Sequence, residues 1–329
     1  MKALLPAGAR TIVLLIVLNV AIFALLAWAS PHFATPRNLD NLMLRMSEMG
    51  MLAVGQTLVI VTGGLDLSVG AVMALSPVVA SKLYGMGVPF GLAVAAGIGA
   101  GALVGLVNAV LIARFRMQPI IVTLATMTAV RSIVYGLLRG RTATDFPDPF
   151  LDLVDVRLAG LPGLFVAMLL LAVAGAVLLN LTPFGRAVTA TGANPAAAHL
   201  AGIRVERVLM AVYILSGIIA AIAGFTTTIR VQAATADAGL YAPLEVITAV
   251  LIGGTLITGG RGSVAGALLG VLTLFLLVNG FTLMGLNPFL QQVVMGAILI
   301  AVIGQERFRG FVLLRRRPRQ RIPDRGGGP

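Results

Sequence analysis

Long apolar runs separated by short polar breaks occupy nearly the whole chain up to Gly304. Set against the ~20 residues that cross a hydrocarbon core, they predict about ten spans. These lie near residues 11–29, 41–61, 67–84, 90–113, 119–138, 161–181, 208–230, 245–258, 264–284 and 289–304. The eighth and tenth are short, and Thr62 to Leu67 reads as a break between the second and third, within the membrane. The fold class expected is all-α: a polytopic transmembrane helical bundle, with residues 1–304 forming one membrane domain. The first run, Thr11 to Ala29, has the length of a full span and further spans follow it. A retained helix is therefore expected in place of a cleaved secretory leader.

Composition agrees with a bilayer as solvent. Apolar residues make up 58% of the 329 and charged residues 11%, with a mean hydropathy of +1.00. A soluble domain carries about a quarter of its residues as charges. The net charge of +12 does not point to nucleic acid, because the arginines sit in short loops and in the segment after Gly304 and build no soluble basic face. Their placement orients the chain instead. With an even number of spans, Lys2, Arg10, Arg114, Arg116, Arg186, Arg204, Arg207, Arg261 and the arginines after Gly304 fall on the side of the termini. Arg37, Arg45, Lys82, Arg139, Arg141, Arg157 and Arg230 fall on the other. The larger basic group marks the cytoplasmic side, so both termini are expected there. Residues 305–329 are expected to be a basic, disordered tail against the membrane surface.

One polar stretch is too long to be a simple turn. Pro183 to Arg207 runs without an apolar span and carries Arg186, Arg204 and Arg207 against Glu206. Within it, Asn194 is a good N-cap, Pro195 suits the first helical turn, alanines follow, and Gly202 offers a stop. A short alanine-faced helix over 195–200 has little to bury by itself. Its expected use is to dock a soluble partner.

Two related strings mark helix breaks: Thr62-Gly63-Gly64 leading to Ser68-Val69, and Thr258-Gly259-Gly260 leading to Ser263-Val264. Discontinuous helices at equivalent places in internal repeats are a transporter device. Asp66, in the first string, has two readings: a membrane-embedded functional acid, or a cap for the helix that starts beside it. The second is favoured, because a glycine pair before it suits a sharp break. Gly101-xxx-Gly105 and Gly266-xxx-Gly270 fit close helix approach within one subunit. Asn108, Arg131, Asn279, Gln291 and Gln292 are further polar residues inside spans; they line a water-filled path or bond between helices. The longest outer loop, Arg139 to Gly160, holds Asp145, Asp148, Asp152 and Asp155; it is either a solvated loop or a landing surface for an outer partner.

Enzymatic readings close quickly. The chain has no cysteine, and His32 and His199 are far apart, so no metal site is expected. Lys2 and Lys82 are the only lysines and neither follows a glycine, so there is no phosphate-binding loop; GxSxG and HExxH are absent. No cofactor is expected, and any ATP hydrolysis belongs to another polypeptide.

Taken together, four ordered motifs resemble the permease subunits of bacterial ABC importers for monosaccharides, the family of ribose, xylose, arabinose and galactose permeases. They are TGGLDLSVGAVMAL from Thr62, Pro119 to Thr126, Gly192-Ala193-Asn194-Pro195-Ala196-Ala197-Ala198 with Ala201-Gly202-Ile203, and Ile252 to Thr255 with Gly259 to Ser263. The resemblance spans about residues 35 to 304. It implies a multi-pass protein of the bacterial cytoplasmic (inner) membrane that moves a ribose-like pentose or hexose inward by alternating access. It also implies two cytoplasmic ATPase subunits, an extracytoplasmic sugar-binding protein and a second permease, identical or related. In such a family Gly192, Asn194, Pro195, Ala197, Ala198, His199 and Gly202 belong to the loop that enters an ATPase cleft; many relatives carry arginine where His199 stands. Gly63, Gly64, Asp66, Ser68, Gly259, Gly260 and Ser263 are candidates for helix breaks along the translocation path. Two other readings stand beside this one: an ABC permease for branched-chain amino acids or a furanone signal, and an ion-coupled secondary transporter using Asp66.

Overall fold

A computed structural model describes residues 7–315 of the chain. Helices form nearly all of it: α1 (Ala7–Ala29), α2 (Pro36–Val61), α3 (Val69–Gly85), α4 (Phe90–Ala109), α5 (Pro119–Leu138), the single turn α6 (Asp148–Leu151) and α7 (Gly163–Leu181). The second half adds α8 (Pro183–Ala193), α9 (Pro195–Leu200), α10 (Val205–Val231), α11 (Ala242–Ile252), α12 (Val264–Leu283) and α13 (Pro288–Arg315). The only strands among the described residues, β1 (Arg157–Leu158) and β2 (Leu161–Pro162), make a minimal hairpin in a loop. Among the described residues, seven helices are long and apolar enough to cross a membrane, α4 counting with the widened turn Val110–Arg114 that continues it. Val69–Gly85, Ala242–Ile252 and Phe289–Ala301 are shorter apolar helices. This is an all-α membrane bundle.

The core and the lipid face are separated by packing, since both are apolar. Every residue of α2 from Met46 to Val61 is buried, so α2 forms the axis, with α10, α12, α7 and α11 packed directly on it and α3 and α4 packed on α10. In contrast, α1 leaves Leu14 68% and Trp28 86% exposed, and α5 and α7 present similar apolar faces. Exposed apolar surface on this scale is stable only against lipid. Helix α1 is fixed to α12 by polar contacts: Asn19 Nδ2 donates to the Leu269 carbonyl at 3.2 Å, and Thr273 Oγ1 donates to Asn19 Oδ1 at 3.1 Å.

Three boundaries differ from the sequence-based expectation. The eighth span, expected over 245–258, is a helix only over Ala242–Ile252. The apolar run does continue, but Gly253, Gly254 and Gly259–Gly260 end the helix, and the last three of these take left-handed backbone angles. Pro183–Ala193, expected as part of a loop, is the separate helix α8, capped by the Thr182 hydroxyl, which accepts from the Gly185 N–H at 3.1 Å. Helix α13 continues past Gly304 to Arg315, and the tail expected from 305 onward lies outside the described residues from 316.

Glycines set the closest helix crossings. A Cβ on Gly105 would meet the Tyr213 carbonyl, and one on Gly101 the Gly217 carbonyl, so α4 and α10 touch backbone to backbone. Gly270 packs the same way on Ala249, and Gly266 on Gly253. Both small-xxx-small pairs thus serve packing inside one chain. Gly99, on the far face of α4, faces open space. Gly105→Val should therefore destabilise the bundle by about 1–3 kcal/mol through overpacking, with Gly99→Val near neutral. Thermal melts of the two purified variants against the parent check this ordering.

Candidate functional site

The two Thr-Gly-Gly strings meet. α2 ends at Val61, and the chain turns at Gly63 (φ +82) before α3 begins. α11 ends at Ile252 and the chain reaches Gly259 (φ +84) and Gly260 (φ +76) before α12 begins. The Gly260 N–H donates to the Val61 carbonyl at 2.8 Å, joining one break to the other. A Cβ on Gly259 would strike the Gly63 backbone, and one on Gly192, near the end of α8, would strike the Val61 carbonyl and Gly260 nitrogen. Three segments far apart in sequence therefore cross with no side chain between them. Left-handed angles explain the glycines at 63, 259 and 260, and close approach explains the one at 192.

Just inside this crossing lies Asp66, 1% exposed. Its Oδ1 accepts from the Ser68 N–H at 2.9 Å and the Ser68 hydroxyl at 2.6 Å, and its Oδ2 accepts from the Ser216 hydroxyl of α10 at 2.8 Å. Asn108 of α4 donates through Nδ2 to Ser68 Oγ at 2.8 Å. The Gln56 side-chain amide of α2, oriented to satisfy both groups, donates to the Asp66 carbonyl and accepts from its N–H, each at 3.3 Å. Thr123 of α5 donates to the Leu65 carbonyl at 3.2 Å. Asp66 and Ser68 together tie the segment before α3 to α2, α4 and α10, and the Asp66 carboxylate accepts from Ser68 at the N-cap position, with no bond to the first-turn N–H groups of α3. On the other side of the crossing, Ser263 caps α12 by accepting from the Gly266 N–H at 3.2 Å.

Immediately outside the crossing projects α9. Asn194 Oδ1 accepts from the Ala196 and Ala197 N–H groups at 3.0 and 3.1 Å, Pro195 stands in the first turn, and Gly202 turns the chain at φ +84. Ala198 is buried and anchors the helix, while Asn194, Pro195, Ala197 and His199 are exposed. Leu200 is 88% exposed. Beside α9 lies an open groove of about 1110 Å³, whose walls include Arg114, Arg116, Arg204 and Arg207. This end of the bundle offers an apolar knob, a shallow groove and a surplus of positive charge.

The opposite end is closed by loops. Ala143 and Ala234 exchange backbone hydrogen bonds at 2.9 Å, linking the segment after α5 to the one after α10. Arg131 bonds to the carbonyls of Ala236 and Ala238, and Tyr135 to Asp237. The 139–160 segment, with Asp145, Asp148, Asp152 and Asp155, is pinned by Phe146 and Phe150. Their rings stack at 5.7 Å, and Phe150 also packs on Phe90 and Phe225.

Comparison with known proteins gives a consistent result. The family described as "Branched-chain amino acid transport system / permease component" matches residues 38–303. The ribose import permease protein RbsC of Bacillus subtilis is 41% identical over 277 residues, 83% of this chain and 86% of its own. The L-arabinose ABC transporter permease protein AraH of Azospirillum brasilense is 34% identical, covering 90% and 87%. The fructose import permease protein FrcC of Rhizobium meliloti is 35% identical, covering 89% and 84%. The chain belongs to this ABC permease family. No solved structure matches it. As a permease it is a transport component, and ATP hydrolysis belongs to a separate subunit.

Within the permease, all four sequence motifs come to one place. Gly63, Gly64, Asp66 and Ser68 form the first break, Gly259, Gly260 and Ser263 the second, Thr123 supports the first, and Gly192 touches both. The residues expected in the docking loop divide. Asn194, Pro195, Ala197 and His199 face outward, Ala198 faces in, Gly202 makes the turn, and Gly192 belongs to the crossing. Among the other polar residues expected inside spans, Asn279 pairs with Asn38 through two bonds of 2.8 and 3.0 Å.

Sequence reasoning missed Leu200 and a charged cluster. Glu48 of α2 receives Arg230 of α10 through Nη2 at 2.9 Å and Nε at 3.3 Å, and the Thr227 hydroxyl at 2.8 Å. Arg45 and Glu245 stand beside this pair around one cavity. The rule that singled out Asp66, that an acid within a span is functional by default, applies equally to Glu48 and Glu245. Asp66→Ala leaves the Ser68 and Ser216 donors unsatisfied, which should lower stability by about 1–3 kcal/mol, whereas Ser216→Ala should cost less. Unfolding of detergent-solubilised variants, followed by a thiol-free thermal assay, measures both.

Proposed function

We propose that this permease is the membrane subunit of an ATP-driven importer that moves a monosaccharide, a ribose-like pentose or a hexose, into the cytoplasm by alternating access. The observation that carries the reading is similarity over 83–90% of the chain to permeases named for ribose, arabinose and fructose import. The family description names branched-chain amino acids, and leucine is therefore the competitor to test. In this reading the chain crosses a bacterial inner membrane about ten times, the three shorter helices completing the set, with both termini cytoplasmic. Its partners are an ATPase pair, an extracytoplasmic sugar-binding protein and a second permease.

Helix α9 is the proposed coupling element. Leu200 and the Ala197 face enter an ATPase cleft, and Arg114, Arg116, Arg204 and Arg207 favour an acidic rim there. A push on α9 reaches Gly192 within a few residues, and Gly192 bears directly on both helix breaks. ATP acts on transport only by favouring one permease state over the other; a backbone crossing shared by three segments is where such a preference would be felt. An ion-coupled mechanism through Asp66 has less support, since its carboxylate is occupied by serine donors on both oxygens.

Because the chain lacks cysteine, a single thiol at Ala197 reports docking. In membranes containing the co-expressed ATPase, the A197C thiol should cross-link to that subunit in an ATP-dependent way. Leu200→Asp should reduce both capture and ATP-driven sugar uptake by about tenfold or more. A thiol at 197 that stays uncaptured and freely reactive in membranes actively taking up sugar would sink the coupling assignment.

A further inference from the structure

The half of the bundle away from α9 contains a chamber that the docking and crossing elements do not use. Two adjoining cavities of about 190 and 310 Å³ share Arg45, Glu245, Val278 and Met295 in their walls. Together they fall near the lower end of the ~300–1,000 Å³ typical of small-molecule sites. α2, α10, α11, α12 and α13 line them, and both open to the outside. Four ionisable side chains face this space: Arg45 and Glu48 from α2, Arg230 from α10 and Glu245 from α11.

The four differ in how far they are shut off from solvent: Glu48 is buried, Arg230 and Glu245 are half-buried and Arg45 is exposed at the mouth. Glu48 and Arg230 pair directly, and Thr227 completes the pair. Arg45 and Glu245 feel each other's charge without a direct bond. Among the described residues neither side chain makes a hydrogen bond or ion pair, although both line both cavities. Three further properties define what would satisfy them. The formal charges of the four groups sum to zero, so the chamber has no surplus charge to hold an anion or a cation. Gln291, Gln292 and Tyr241 add neutral donors and acceptors at the rim. Phe275 supplies an apolar wall in the smaller cavity. Planar polar side chains in numbers, with an aromatic face, fit a neutral polyol that shows hydroxyls on its edges and C–H groups on its faces.

We propose that this chamber is a binding station for the sugar inside the permease, with Arg45 and Glu245 contacting its hydroxyls. The assignment rests on the importer reading above. It also fits the mechanics. Glu245 stands near the start of α11, and the end of α11 leads through Gly253 and Gly254 to the Gly259–Gly260 crossing beneath α9. Motion imposed at one end of α11 therefore acts on a wall of the chamber.

Thiol protection tests the chamber. Met295→Cys places one thiol in the shared wall and Gln292→Cys a second at the rim, while Met86→Cys on the exposed turn after α3 serves as control. Each is reconstituted with its ATPase and binding protein in proteoliposomes, and maleimide labelling is followed without ATP. Ribose, arabinose or fructose, whichever the parent complex imports, should slow labelling at 295 and 292 by about tenfold and leave 86 unaffected. Glu245→Gln in the 295 background should abolish the protection. Equal labelling with and without the imported sugar, in a complex that transports it, overturns the chamber while leaving the importer reading intact. Protection by leucine and by no sugar overturns the ligand class. Absence of ATP-driven uptake of every sugar overturns the importer reading, and the station falls with it.

Discussion

Hydrocarbon offers nothing to an open backbone group, so a helix that breaks inside a membrane must close its exposed N–H and C=O groups against something else. This chain breaks two helices and closes each break partly on the other. The Val61 carbonyl, left open where α2 ends, takes the Gly260 N–H from the second break. The segment leading into α3 is held by Asp66, whose carboxylate receives Ser68 and Ser216 while its own peptide is held by Gln56. Removing any one of these closures would leave a polar group stranded in an apolar environment. The bundle is arranged around this requirement: α2, α4, α5, α8, α10 and the loop before α12 each send a group to the same small volume.

From this follows the division of labour along the axis. Below the crossing stands α9, small, well capped and facing outward. Above it lies the charged chamber, walled partly by α11, a short helix that spans only the upper part before giving way to glycines. A single crossing therefore has the proposed docking helix on one side and a polar cavity on the other. The loops at the far end are tied by Arg131 to backbone carbonyls and by a cluster of phenylalanines, so that end is held by many contacts while the α9 end is held by few.

Much of this was legible in the residues. Seven of the expected spans followed from run length alone, because hydrophobic thickness is a strict constraint. The α9 cap, first turn and stop were readable at Asn194, Pro195 and Gly202, since capping is local. The doubled Thr-Gly-Gly string announced two breaks but not their contact, which depends on a distance no local pattern encodes. The end of α11 was misplaced because Leu256 and Ile257 prolong the apolar run, and hydropathy does not register a left-handed Gly254. The chamber escaped for a different reason. Its charges come from three helices, and each looks alone like a residue at a span edge.

A contact made only of backbone has no side chain for drift to alter. At the Gly63–Gly192–Gly259 crossing, the geometry depends on the absence of Cβ atoms, and so on very few positions. The surfaces on either side, Leu200 with its arginines and the chamber around Glu245, are built from side chains and free to vary. Under the proposed roles of α9 and the chamber, contacts to motor and cargo can change while the crossing between them stays fixed.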